Sequence, residues 1–296
     1  MREIDDGDHS AVADFLGAGI GYPQSYFNTL FAVLRAMDVP PGYPRYGYVA
    51  TVGPRVVGAI LLIFAAVEKE GAKSVRCHVT SWCVDKRYRT LAVPLFSRGL
   101  KFRGVTYINI SASPRIRRII QAQGFKEYAR GQLVLSPLVH IFRRPSAGEV
   151  RIVDWRVTPD AAHDHYELQV VRDHGGYGGL SFWCIHEMRA YPFVFHERLY
   201  KSMIPGVQLL YCRSIDSFVR LVGPISRVLA QRGKLLVGVD ANDSVAGLTG
   251  LYLPGTEPRY FKGAEPPGLG DLAYTQKAML PFLKRKPPPN DDGLAF

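Results

Sequence analysis

The stretch richest in usable chemistry runs from Ser81 to Phe96, Ser-Trp-Cys-Val-Asp-Lys-Arg-Tyr-Arg-Thr-Leu-Ala-Val-Pro-Leu-Phe. An apolar-edged run, Val75 to Val84, reads as a strand. A short basic loop follows from Asp85 to Arg89, and Leu91, Leu95, Phe96 and Leu100 then recur at helical spacing. A strand ending in a loop of backbone N–H groups that opens a helix can hold pyrophosphate, because the unpaired amides and the helix dipole both point at the anion. Other candidate clusters carry less. Gly17-x-Gly19-x-Gly21 follows no strand and lacks the spacing of a dinucleotide fingerprint. Cys77, Cys83, Cys184 and Cys212 form no CxxC pair, so neither a zinc site nor a disulfide framework is expected. His163 and His165 have only Asp164 beside them, too small a ligand set for a metal.

The chain has 296 residues, 47% of them hydrophobic, enough to bury a sizeable core and, at ordinary domain sizes, to make two. Its net charge of +11 is unevenly spread, with eleven Lys and Arg against two acids between Asp85 and Arg130. A solvated basic face, a polyanionic ligand and nucleic acid are the three readings of such a segment. Nucleic acid is disfavoured, because no exposed aromatics are interleaved for base stacking. The N-terminus lacks the apolar core of a signal peptide, and the longest apolar run, Val56 to Val67, is too short to span a bilayer. A cytoplasmic location without a membrane partner is expected.

Around the basic loop, the pattern predicts a short helix over 11–16 ended by a glycine-rich loop to Pro23. A second helix, capped by Ser25, carries a buried stripe of Tyr26, Phe27, Leu30, Phe31 and Leu34. Tyr48–Val52 and Val56–Phe64 read as a hairpin about Gly53-Pro54-Arg55. Past the loop and its helix come a strand over Val105–Ile110 and a helix with Ser113 as N-cap and Pro114 at its first position. Gly124 ends that helix, and a strand over Gln132–Leu135 follows. Strand–loop–helix units in such a mixed α/β layout are where ligands usually bind.

From about Ala11 to Leu138 these residues resemble the Gcn5-related N-acetyltransferases, an acyl-CoA-dependent superfamily. The family's pyrophosphate loop has Gln or Arg, two variable residues, Gly, one variable residue, then Gly or Ala. Arg87-Tyr88-Arg89-Thr90-Leu91-Ala92 fits at Arg87 and Ala92 and departs at Thr90. Trp82-Cys83-Val84-Asp85 is similar to the end of the family's fourth strand, and Asn109 to Phe125 to its fifth strand and fourth helix. The resemblance implies a mixed, mostly antiparallel sheet flanked by helices. It also implies an acetyl-CoA or other acyl-CoA co-substrate, with a small-molecule or peptide amine as acceptor. On this reading Val84 contacts pantetheine through its backbone, and Arg87, Arg89, Thr90, Leu91 and Ala92 surround the phosphates. Asn109 and Ser111, on one strand face, are candidates to hydrogen-bond the pantetheine.

The implied reaction is attack of an amine on the thioester carbonyl, which needs a deprotonated amine and donors for the oxyanion. His78 is the candidate base, directly or through water, since an imidazole titrates near working pH. Two departures bear on activity. Thr90 stands where a glycine would permit φ > 0, although it could instead cap the helix. Ile120 stands where many members carry a tyrosine that protonates the departing thiolate. The alternative to an N-acyltransferase is therefore a non-catalytic acyl-CoA-binding or regulatory protein of the same fold.

The segment from His140 to Gly148 reads as a linker, dividing residues 1–140 from a second α/β unit, 149–283, whose first strand is expected over Glu149–Val157. Leu91-Ala-Val-Pro94 with Arg103-Gly104 is echoed by Leu221-Val-Gly-Pro224 with Arg232-Gly233, which suggests a second unit of the same fold with a degenerate phosphate loop. Such a unit would shape the acceptor cleft or brace the first. Residues 284–296 read as a loose, Pro-rich tail.

Overall fold

The computed structural model describes residues 1–69, 71–145 and 148–280. The tail expected over 284–296 lies outside them.

Strand β1 (Arg2–Glu3) leads into helices α1 (His9–Ile20) and α2 (Gln24–Ala36). Strands β2 (Gly47–Val52), β3 (Arg55–Lys69) and β4 (Ala72–Val84) follow, and a 3-10 turn, Lys86–Leu91, runs into α3 (Ala92–Gly99). Next come β5 (Val105–Asn109), α4 (Pro114–Ala122), β6 (Lys126–Leu135) and the short α5 (Pro137–His140). The remainder forms β7 (Arg151–Asp154), α6 (His165–Gly176), β8 (Leu180–His186), β9 (Arg189–Tyr200) and β10 (Ile204–Cys212). It ends with α7 (Ile215–Gln231), β11 (Leu236–Ala241), β12 (Gly250–Lys262) and α8 (Gln276–Met279).

All of these strands join one sheet, ordered β1-β2-β3-β4-β5-β12-β6-β11-β10-β9-β8-β7. Neighbours run antiparallel except β4 with β5 and β10 with β11. The order read inward from β1 repeats when read inward from β7. Each run is closed by a strand from the opposite half of the sequence, β12 beside β5 and β6 beside β11. Helix α3 connects one parallel pair and α7 the other, and they carry Pro94 and Pro224 respectively.

Helices cover both faces. On one, Phe27, Leu30 and Phe31 of α2 pack in the same core as Leu16 of α1, Tyr166 and Val170 of α6, and Leu272 and Ala273 near the C-terminus. On the other, Leu95 and Phe96 of α3 join Ile116 and Ile120 of α4, while Phe218, Leu221 and Ile225 of α7 form a further cluster. Each such side chain removed from water contributes about 1.5–3 kcal/mol. The expected mixed, mostly antiparallel sheet flanked by helices is the one that forms.

Several local expectations are corrected. The first helix continues through Gly17 and Gly19 to Ile20 and ends at Gly21, whose φ of 89° suits a C-cap. Ser25 does not cap α2, because the extended residue at its start is Pro23, one position before the helix. Strand β6 begins six residues before Gln132, at Lys126, since its first part holds the exposed Lys126, Glu127 and Arg130 and shows no regular alternation to mark a strand. His140 belongs to α5 and not to a linker. The strand expected over Glu149–Val157 contracts to β7, with a turn from Trp155.

Candidate active site

The parallel ladder between β4 and β5 runs from Val75↔Val105 to His78↔Ile108 and stops. One residue on, the Asn109 amide donates to the Val79 carbonyl at 3.1 Å, a side chain standing in for the next ladder bond. On its other edge β4 stays paired with β3, but Thr80 faces Leu61 and Cys83 faces Ala59, so β4 carries one extra residue. Ser81 sits in that bulge with φ 49°, an uncommon conformation for a residue with a Cβ. The bulge bends β4 away from β5 and opens a cleft of about 180 Å³. His78, Thr80 and Trp82 line it from β4, and Asn109, Ser111 and Ser113 from the end of β5. Tyr22 and Tyr26 close it on one side, with Gln276 and Lys277 of α8 beside them.

Gln276 is the hub of this cleft. Its Nε2 donates to Tyr26 Oη at 3.1 Å, and its Oε1 accepts from Ser81 Oγ at 3.0 Å and from Thr80 Oγ1. Its backbone N–H donates to His78 Nδ1 at 3.1 Å. Burial, reinforced by the charges of Lys277, Arg76 and Arg259, pushes the His78 pKa down to about 3. The ring is therefore neutral at working pH, and the proton it keeps lies on Nε2. In this tautomer His78 offers a donor and not the base expected of it.

The basic turn lies farther along β4. Asp85 Oδ1 accepts the Arg87 N–H at 3.0 Å, and its Oδ2 lies 3.0 Å from Arg87 Nη2 and 2.8 Å from Arg55 Nη2. Asp85 thus caps the turn, and the hydrogen bond from Arg87 holds its carboxyl below the usual range. The helix cap that Thr90 could have supplied is not made, since Leu91 precedes α3 with no side-chain cap. Arg87, Arg89 and Thr90 are exposed, Leu91 is half-buried, and Val84 and Ala92 are buried against α3 neighbours. Thr90 does not adopt φ > 0, so the strain expected of a β-branched residue there does not arise. His78, Asn109 and Ser111 meet in the cleft, whereas Val84 and Arg87 to Ala92 lie outside its lining.

At the matching place in the second half, β10 and β11 pair only from Gly206↔Leu236 to Gln208↔Gly238, and β10 is also bulged, at Leu210. There the chain fills its own gap. The Leu272 N–H donates to the Leu210 carbonyl at 2.6 Å, and the Cys212 N–H to the Gly270 carbonyl at 2.9 Å. Gly270 has φ 77°, and a Cβ on it would sit 2.8 Å from Cys212 Sγ. From this seat the chain crosses to deliver Gln276 and Lys277 to the first cleft.

A buried charge network joins the two regions. Arg259 of β12, fully buried, grips Asp240 of β11 at 2.9 and 3.1 Å. Glu257 receives Arg198, Arg259 and Lys277 at 3.0, 3.2 and 3.0 Å. Burial opposes ionisation of Glu257, but Lys277, Arg259 and Arg198 outweigh it and hold the carboxyl well below the usual range. No sequence pattern singles out Gln276, Lys277 or Glu257. Tyr26 was visible only as part of an apolar stripe.

No family model matches the chain, and no curated protein sequence matches it. Solved structures do. A Gcn5-related N-acetyltransferase from Anabaena variabilis superposes with a TM-score of 0.58 at 8% identity, over 88% of this chain and 71% of its own. A Gcn5-related N-acetyltransferase from Kribbella flavida gives a TM-score of 0.54 at 13% identity, over 88% of this chain and 69% of its own. On these superpositions the chain has the fold of the Gcn5-related N-acetyltransferases.

Proposed function

We propose that the protein is an acyl-CoA-dependent N-acyltransferase that binds acetyl-CoA, or another acyl-CoA, in the cleft between β4 and β5. The observation that carries this reading is the stop of the β4/β5 ladder at His78↔Ile108, beyond which the two strands no longer pair and an extended amide-bearing chain would have room to enter between them. Asn109 and Ser111 at the end of β5 would hydrogen-bond the pantetheine, with Val84 contributing its backbone. Arg87, Arg89 and the turn through Thr90, Leu91 and Ala92 would face the phosphates, where the local excess of Lys and Arg favours an anion.

The acceptor amine, on a small molecule or a peptide, would enter from the side of Tyr22, Tyr26 and Lys277. Its nitrogen bonds to the carbonyl carbon, the C–S bond breaks, and the proton shed by nitrogen ends on the CoA sulfur. Ile120 is aliphatic and packs fully buried with Ile116 and Phe96, so that position provides no proton donor for the thiolate. Residues 1–140 would form the co-substrate unit and 149–283 a second copy of that unit, as the repeated strand order suggests. Because Gly270 to Leu272 occupy the second gap, one acyl-CoA per chain is expected. A cytoplasmic location goes with this reading.

The test is release of free CoA thiol from acetyl-CoA across a panel of amines. Turnover with at least one amine supports the reading. Binding of acetyl-CoA with no turnover on any amine would make the protein a CoA-binding module.

A further inference from the structure

His78 is 2% exposed at the point where β4 and β5 part, and its ring is held on one side only. Nδ1 accepts the Gln276 backbone N–H, a group that can only donate, so the neutral ring keeps its proton on Nε2. Nε2 is shielded from solvent and has no hydrogen-bond partner among the described residues. A buried donor left unmet costs about 1–3 kcal/mol, and His78 is one of the residues that line the cleft. The charged groups facing it are Arg76 on its own strand, Arg259 on β12 and Lys277 on α8. Asp271, Asp240 and Glu257 pair with these three cations, so among the described residues these carboxylates are engaged with cations and not with the imidazole.

We propose that His78 donates its Nε2–H to the acyl oxygen of the bound thioester, and that Gln276 is the positioning residue that fixes the donating tautomer. This rests on the acyltransferase reading. As the amine nitrogen bonds to the carbonyl carbon, the C=O electron pair moves onto oxygen, where Nε2–H meets it. When that pair returns, the C–S bond breaks and the thiolate leaves, taking up the proton that nitrogen sheds. His78 gains and loses no proton in this cycle. The second half offers no counterpart, since Gln208, at the matching end of its ladder, directs its amide to Asp240 at 3.4 Å.

The test binds acetyl-CoA carrying ¹³C at its carbonyl to the full-length wild type and to the His78→Gln and His78→Ala variants. Affinity is measured by calorimetry and the carbonyl stretch by difference infrared spectroscopy. Glutamine places an amide N–H near the position of Nε2, so the stretch should be red-shifted in wild type and His78→Gln and not in His78→Ala. In wild type, ¹⁵N-labelled His78 should show the Nε2–H tautomer unchanged from pH 8 to pH 5. Equal carbonyl frequencies in all three proteins with acetyl-CoA bound, or a proton on Nδ1, would overturn the proposal and leave the acyltransferase reading standing. Failure of the wild type to bind acetyl-CoA would overturn both.

Discussion

Arg76 Nη1 of β4 lies 2.9 Å from Asp271 Oδ2, and both side chains are almost wholly buried. Arg76 also donates to the Ala273 carbonyl at 2.9 Å and reaches Tyr166 Oη at 3.4 Å. Burial alone would lower the pKa of Arg76, but Asp271 and Tyr166 raise it beyond its ordinary value. The pair fastens the C-terminal segment to the strand that forms the cleft, five residues before Gln276. Replacing Arg76 with Met strands a buried carboxylate and should destabilise the fold by about 3–5 kcal/mol. An Arg76→Met, Asp271→Leu double variant should lose less than the sum of the singles. Urea unfolding measures both, and a single-variant loss below about 1 kcal/mol would contradict a structural role for the pair.

Two buried histidines, His78 and His174, and the half-buried His196 set a pH window. Burial, the largest cause in each case, lowers His78 to about 3 and His174 and His196 to about 4. Each folded-state pKa lies below the unfolded value near 6.5, so the unfolded chain binds more protons as pH falls. Stability is then fully present above pH 6.5 and drains away on acidification, at about 1.4 kcal/mol per pH unit for each ring. Denaturant midpoints should fall steeply between pH 6.5 and 5, and a His174→Gln variant should show a shallower slope. A flat profile over that interval would contradict neutral burial.

The turn before α3 gives a prediction opposite to the simple family pattern. Thr90 is unstrained, so Thr90→Gly should not tighten CoA binding and should weaken the turn by about 1 kcal/mol through chain entropy. Arg89→Ala should weaken CoA binding several-fold at low salt, with the difference shrinking as salt rises, because exposed charges are screened. Tighter binding by Thr90→Gly, read by calorimetry, would restore the glycine argument.

Gly270 is the residue that lets the chain close its own second gap. Gly270→Ala adds a Cβ against Cys212 Sγ at a φ that side chains avoid, and should cost at least about 1–2 kcal/mol. Thermal unfolding checks this, and an unchanged midpoint would contradict the close approach.

Much of the first half was legible in the sequence because its signals are local. The β2–β3 hairpin, the strand to Val84, and Ser113 capping α4 through the Ile116 N–H all follow from spacing and turn chemistry. The exchange of β6 and β12 between the halves was not legible, because strand partners far apart in sequence leave no periodic mark. The same holds for the cleft. His78, Asn109 and Ser111 could be named from their strands, but Gln276 comes from a four-residue helix at the far end of the chain. Without Gln276 there is no reason to prefer one tautomer of His78, and a neutral histidine on a strand reads equally well as a base. Thr90 does not cap α3 either, because the 3-10 turn capped by Asp85 runs on to Leu91 and makes that residue the one before the helix.

The central claim is that the parted strands β4 and β5 hold acyl-CoA. Titration of acetyl-CoA into the full chain by calorimetry, beside a Ser111→Trp variant that fills the cleft, tests it most directly. The account predicts saturable binding of one acetyl-CoA per chain in the wild type and its loss in Ser111→Trp. No heat from the wild type, or equal binding by the two proteins, would contradict it.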